Sequence, residues 1–79
     1  MYNEMGDNMK VKIRIDTLQD AKNFVEITQK IPADIFVIDK RGLKVNAKSL
    51  LGVLYSMEFS ELWCKSKKDI YQLIKDFII

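Results

Sequence analysis

The sequence contains no histidine and only one cysteine among its 79 residues. Without histidine, the chain cannot carry phosphate on an imidazole, use an imidazole as a general base or bind a metal ion through one. Cys64 cannot form an internal disulfide, and no cysteine or histidine cluster is present to build a zinc or iron–sulfur site. We therefore expect a reducing, cytoplasmic location and neither a metal nor a cofactor.

An excess of one charge is also missing, because 13 Lys and Arg residues stand against 11 Asp and Glu residues. Such a balance lacks the electrostatic excess that drives binding to a phosphate backbone, so we expect no nucleic-acid partner. No apolar run approaches the roughly 20 residues that span a bilayer, so we expect no membrane span. With 48% hydrophobic residues, the chain can form one domain around one modest core.

The first residues differ from the rest in composition. Residues 1–8 include Asn3, Glu4, Gly6 and Asp7, the opposite of a basic and then apolar signal peptide. We interpret residues 1–8 as a disordered leader and residues 9–79 as the single domain.

The first half of the domain shows strand and helix signals in alternation. Lys10 to Ile15 alternates strictly between cationic and β-branched apolar residues, which predicts a strand with one buried face. Thr17 followed by Asp20 is a capping-box variant that opens a helix, and Pro32 ends it. The predicted apolar face of this helix consists of Leu18, Ala21, Phe24, Val25, Thr28 and Ile31.

The second half continues this alternation. We predict strands at 34–39, 43–45 and 61–65, with a tight turn at Gly42 and a short helix over 48–55. A last amphipathic helix is predicted from the spacing of Ile70, Leu73, Ile74, Phe77 and Ile78. The order βαββαβα indicates an α+β fold with a four-stranded antiparallel sheet and helices on one face.

Residues 45–54, Val-Asn-Ala-Lys-Ser-Leu-Leu-Gly-Val-Leu, combine a strand end, a helix-opening serine, a mid-helix glycine and an apolar helix face. This segment resembles the regulatory-serine motif of HPr, the phosphocarrier protein of the bacterial sugar phosphotransferase system. The order of elements from Lys10 to Ile79 agrees with that family. The resemblance implies an HPr-like open-faced β-sandwich, with strand order 1-4-2-3 and three helices on one face.

The family's second signature, a histidine followed two residues later by an arginine, is missing. The corresponding positions fall near Thr17 and Gln19 at the start of the first helix. A threonine phosphoester is too stable to pass its phosphate onward, so phosphoryl relay has no chemical group to use. We expect Thr17 to act as a helix N-cap and the protein not to be an enzyme.

Ser49 is the remaining residue for which the resemblance implies a chemical modification. In the family, the matching serine is phosphorylated by a dedicated kinase, and the modified protein then binds a transcriptional regulator or turns away from sugar transport. A phosphate there would meet free backbone N–H groups and the positive end of the helix dipole. The alternative is that Ser49 only caps the short helix.

The short helix also carries an apolar patch. Leu50, Leu51 and Leu54, together with Lys48, match the surface that HPr proteins present to their partners, and Val53 is the best candidate for burial. Leucines at helical spacing are more often core residues. A short helix that is apolar over more than half its circumference cannot bury every leucine, however, which favours a docking surface for a protein partner.

Two other functions stay open. One is a structural adaptor or subunit of a larger assembly with no link to phosphotransfer. The other is a small enzyme, for which the candidates are only Asp16, Asp20, Ser49, Tyr55 and Cys64, with no histidine base among them.

Pleat alternation also leaves an apolar set on the far face of the sheet. If Val11, Ile13, Ile35, Val37, Leu62 and Cys64 point to the helices, then Phe36, Ile38 and Trp63 point away from them. We predict that these three form one patch, bordered by Lys12 and Arg14 through cation–π contacts with Trp63, and that a homodimer is its simplest use. The alternatives are that residues 1–8 or Ile79 cover the patch, or that a register shift buries Trp63.

Overall fold

The computed structural model describes residues 9–79, so the predicted leader at 1–8 lies outside the described residues. The strands and helices that alternating residues and helix caps predict, from the first strand to the fourth, are all present, with bounds that differ by one or two residues from those predicted. The elements are β1 (Met9–Ile13), α1 (Leu18–Gln29), β2 (Ile35–Ile38), β3 (Lys44–Asn46), α2 (Leu50–Ser56) and β4 (Leu62–Ser66). The chain is therefore α+β, with one antiparallel sheet and two α-helices in its described part.

The four strands pair in the order β1-β4-β2-β3, and every pair is antiparallel. In the central row across the sheet, Val11 is opposite Cys64, Cys64 is opposite Val37, and Val37 is opposite Val45. Because side chains alternate along each strand, this register sends the apolar row to one face and its neighbours to the other. Trp63 lies in a neighbouring row and points away from the helices. The alternative in which a register shift buries Trp63 is therefore not observed.

The core lies between the inner face of the sheet and the two helices. Most of the predicted inward residues are buried, and Val11 is half-buried against the same cluster. On α1 the predicted apolar face is also buried, with the exception of Leu18, which is exposed. Leu18 was expected inside, but it is the first residue of α1, directly after the Thr17 cap, and is 53% exposed. The predicted inner residues that are buried are Ile13, Ala21, Phe24, Val25, Thr28, Ile31, Ile35, Val37, Val53, Leu62 and Cys64.

Two local predictions of backbone geometry are confirmed. The side chain of Thr17 accepts a hydrogen bond from the Asp20 N–H at 3.0 Å, and the Asp20 carboxylate accepts one from the Thr17 N–H at 3.2 Å. This is the reciprocal capping box that the sequence indicated at the start of α1. Gly42 has a φ of +95°, the conformation that the β2–β3 turn needs and that other residues avoid.

The predicted last helix is wrong. Residues 71–77 form two 3₁₀ turns, Tyr71–Leu73 and Lys75–Phe77, instead of a continuous α-helix. A continuous helix does not form because the segment bonds to β1 and to the residue just after it. The Ile79 N–H donates to the Lys12 carbonyl at 3.1 Å, and the Arg14 N–H donates to the Phe77 carbonyl at 2.8 Å. These bonds satisfy backbone groups at the edge of the sheet.

Candidate functional site

Ser49 opens α2 as its N-cap. Its hydroxyl accepts a hydrogen bond from the Gly52 N–H at 3.0 Å, and its carbonyl accepts one from the Val53 N–H at 2.9 Å. A side chain at Gly52 would come within 3.3 Å of the Asn46 carbonyl oxygen, so the glycine lets α2 lie close to β3. Ser49 is half-buried, and the turn before it is fixed by the Ser49 N–H donating to the Asn46 carbonyl.

The outer side of α2 presents apolar side chains to solvent. Leu51 is 80% exposed and Tyr55 is 58% exposed, whereas Val53 is fully buried, as the sequence predicted. Leu50 and Leu54 are half-buried and pack against the core with part of their surface. We call Leu50, Leu51, Leu54 and Tyr55 the α2 patch.

Lys48 does not extend from this patch as a free cation. Its ammonium donates a hydrogen bond to the Ile31 carbonyl, and its own carbonyl accepts one from the Gln29 side chain at 3.0 Å. Lys48, which was predicted to bind a partner, therefore connects the start of α2 to the end of α1 through hydrogen bonds. Thr28 adds a further hydrogen bond between the two segments, since its hydroxyl donates to the Ala47 carbonyl at 2.7 Å.

Thr17 and Gln19, which the resemblance aligns with the histidine and arginine of HPr, lie at the start of α1. Thr17 is engaged in the cap, and the Gln19 side chain donates to Asn23 at 3.0 Å. Gln19 nevertheless shares a shallow groove of about 380 Å³ with Leu50, so the structure places Gln19 beside the α2 patch.

The outer face of the sheet carries the second predicted site. Phe36 and Trp63 are half-buried, but Ile38, predicted to be exposed, is only 7% exposed although it lies outside the core cluster. Ile38 is opposite both Trp63 and Lys44 in the sheet, and these long neighbours cover it.

The cations over the aromatic rings also differ from the prediction. The ammonium groups of Lys10 and Lys12 each lie 5.7 Å from the centre of the Trp63 ring, and that of Lys44 lies 4.4 Å from the Phe36 ring. Arg14 was expected to border Trp63. It lies beyond the end of β1 and instead forms an ion pair with Asp16 at 2.9 Å.

Two of the residues proposed for an enzyme lie together: the Asp20 carboxylate accepts a hydrogen bond from the Asp16 N–H at 3.1 Å, and both residues line one depression of about 620 Å³. Asp16 pairs with Arg14, Asp20 caps α1, and Cys64 is buried in the sheet, where burial raises the pKa of its thiol to about 12. Among residues 9–79, no group of three or more acidic or cysteine side chains is placed to hold a metal ion. In the same range, no helix is both long and apolar enough to cross a membrane.

Sequence reasoning missed two parts of these surfaces. Tyr55 was considered only as an enzymatic residue, although its position four residues after Leu51 places both on one helix face. Lys10 and Lys44 were missed as ring contacts because their positions depend on how the strands pair.

In comparisons with known proteins, no family model, no curated protein and no solved structure matches this chain.

Proposed function

We propose that this chain is an HPr-like, non-catalytic protein-binding module that cannot carry phosphate on histidine and is controlled by phosphorylation of Ser49. The observation that carries the proposal is the α2 patch: Ser49 begins a helix on which Leu51 and Tyr55 are largely exposed. A monomer gains no stability from leaving large apolar side chains in water, whereas a docking surface uses them.

Three further observations support the resemblance to HPr. The strand order β1-β4-β2-β3 equals the order that the family implies, and the inner face of the sheet packs against both helices. The motif at 45–54 occupies the end of β3 and the start of α2, as in the family. The proposed partners are a serine kinase of the HPr type and, after phosphorylation, a regulator or transport component in a cytoplasmic system.

The alternative is an adaptor that uses the α2 patch without phosphorylation. The hydrogen bond between the Ser49 hydroxyl and the Gly52 N–H favours it, because a capping serine needs no kinase to explain its presence. Both functions use the same patch, and they differ in whether Ser49 is modified.

The test is incubation with an HPr-type serine kinase and ATP, followed by intact-mass and peptide measurement. We expect one phosphate on Ser49, none on Ser49→Ala, and unchanged modification of Ser60→Ala, a matched control at an exposed serine. Phosphate on another residue, or equal modification of Ser49→Ala, would contradict control at Ser49. With phosphoenolpyruvate and the general phosphotransferase enzyme instead, the mass stays unchanged because no histidine accepts the phosphate.

A further inference from the structure

The outer face of the sheet concentrates positive charge that the whole-chain balance hides. The four strands together contain four lysines and no acidic residue. Pleat alternation places all four lysines, Lys10, Lys12, Lys44 and Lys65, on the outer face, away from α1 and α2. Two carboxylates border this face in the described part of the chain: Glu61, just before β4, pairs with Lys12 at 3.2 Å, and Asp39, just after β2, is buried and bonded to Arg41.

The same face carries two aromatic rings on its two central strands. Trp63 on β4 is opposite Ile38, and Phe36 on β2 is opposite Lys65, so the rings occupy neighbouring rows of adjacent strands. Such diagonal positions are roughly 7 Å apart and can each offer a ring to a separate flat group. A depression of about 540 Å³ runs beside Trp63 and is lined by residues of all four strands.

We propose that this face binds single-stranded RNA. Lysines alone would fit any anion, but the ammonium groups over the Trp63 and Phe36 rings fit a chain in which phosphates alternate with flat bases. A base that stacks on either ring would displace the ammonium group over it toward a phosphate. Asn46, opposite Phe36, adds a polar group: its side-chain oxygen accepts from the Lys48 N–H, and its amide N–H groups have no partner within residues 9–79. That amide can donate to a ribose hydroxyl beside a base stacked on Phe36.

The proposal revises the expectation that nucleic acid is excluded, which rested on the net charge of +2 for the whole chain. It also weakens the predicted homodimer through this face. Two copies placed face to face would oppose four lysines with four lysines, and like charges in contact disfavour association. The RNA surface is separate from the α2 patch and does not depend on the function proposed for Ser49.

The test measures the anisotropy of a fluorescein-labelled octauridylate titrated with the protein. We expect a dissociation constant on the order of 10 µM near physiological salt, and a slope of log affinity against log salt of about −2 to −3 from three to four lysine–phosphate contacts. The only tryptophan, Trp63, should lose fluorescence on addition of unlabelled RNA, because stacking on a base quenches it.

Matched variants separate the contributions of rings and charges. Trp63→Leu and, independently, Phe36→Leu should weaken binding at least about fivefold, whereas Tyr71→Leu, an exposed ring outside the sheet, should not. Lys44→Gln should reduce the salt slope by about 0.7, and Lys22→Gln on α1 should leave it unchanged. Circular dichroism identifies any variant that does not fold. Because each ring has its own variant, the second variant still tests the proposal if the first does not fold.

Three results would overturn the proposal. The first is no binding of octauridylate at low salt. The second is binding that Trp63→Leu and Phe36→Leu do not weaken, or polyglutamate binding of equal strength, since either would indicate charge attraction alone. The third is equal or tighter binding of the matched deoxyuridine octamer, which would remove the assignment to RNA.

Discussion

At the scale of single residues, Cys64 combines a reactive side chain with an unreactive environment. It is fully buried in β4 between Val11 and Val37, and burial raises the pKa of its thiol to about 12. The thiolate is the reactive form, so the native protein should hold almost none of it at neutral pH.

We therefore expect iodoacetamide not to label the native protein at about pH 8, and to label Cys64 fully in denaturant, where the pKa returns to about 8.5. Mass spectrometry of the two samples provides the measurement. Labelling of the native protein at the rate of a free thiol would show that the strand does not shield Cys64. The sign of the shift also predicts that stability decreases as pH rises above about 8.5, because only the unfolded state then ionises.

Ser49 shows the limit of what one residue can reveal. Its position before an apolar run predicts a helix cap, and the structure confirms that cap. Modification by a kinase depends on a second protein, which neither the sequence of this chain nor its fold contains. Regulation at Ser49 therefore stays a prediction that rests on the resemblance.

At the scale of elements, the β2–β3 turn is organised by one carboxylate. Asp39 is buried and accepts hydrogen bonds from the backbone N–H groups of Leu43 and Arg41 at 2.9 Å each, and from the Arg41 guanidinium at 3.2 Å. Burial alone would raise the pKa of Asp39, but these donors stabilise the charged form and lower the pKa below its ordinary value.

A carboxylate whose pKa is lower in the folded state stabilises the fold above its unfolded pKa of about 4, and this stability is lost as pH falls through the folded pKa. We expect Asp39→Asn to be less stable than wild type at pH 7, with the difference shrinking below about pH 4. Urea unfolding at several pH values measures this. Asp34→Asn, at an exposed position, is the control, and an equal effect there would contradict the role of the turn.

The C-terminal segment allows a direct test of its 3₁₀ geometry. Ile74 is fully buried, whereas its neighbour Leu73 is 57% exposed, although the helical pattern predicted that both face the core. Ile74→Ala should lower the free energy of unfolding by about 3 kcal/mol, and Leu73→Ala should change it by less than about 0.5 kcal/mol. Urea denaturation of the two variants decides this. Similar large losses in both would support the continuous helix instead.

The elements could be predicted from the sequence where their signals are local. Alternation indicated β1, and the Thr17 and Ser49 caps indicated α1 and α2. The last segment could not be predicted because its backbone partners, Lys12 on β1 and Arg14 just after it, are about 60 residues away in the chain. The α2 patch followed from helical spacing, whereas the lysines over Trp63 and Phe36 required the register between strands that are distant in sequence.

At the scale of the whole molecule, the two proposed surfaces lie on opposite layers. The α2 patch belongs to the helical layer, and the lysine-rich face belongs to the side of the sheet that α1 and α2 do not cover. A layered α+β fold with one covered face offers both surfaces at once, since the core needs only the inner side of the sheet. Each surface can therefore be altered by substitution without disturbing the other.

We propose that the α2 patch is a contact surface controlled by Ser49. Calorimetric titration of the kinase-treated protein with the transcriptional regulator of an HPr-containing system measures this control. We expect binding that requires phosphate on Ser49 and weakens roughly tenfold or more in Leu51→Ser, a change typical of a central apolar contact. Leu73→Ser, an exposed leucine outside the patch, should bind as wild type does. Absence of binding by the phosphorylated protein, or equal weakening by the two leucine substitutions, would contradict the claim.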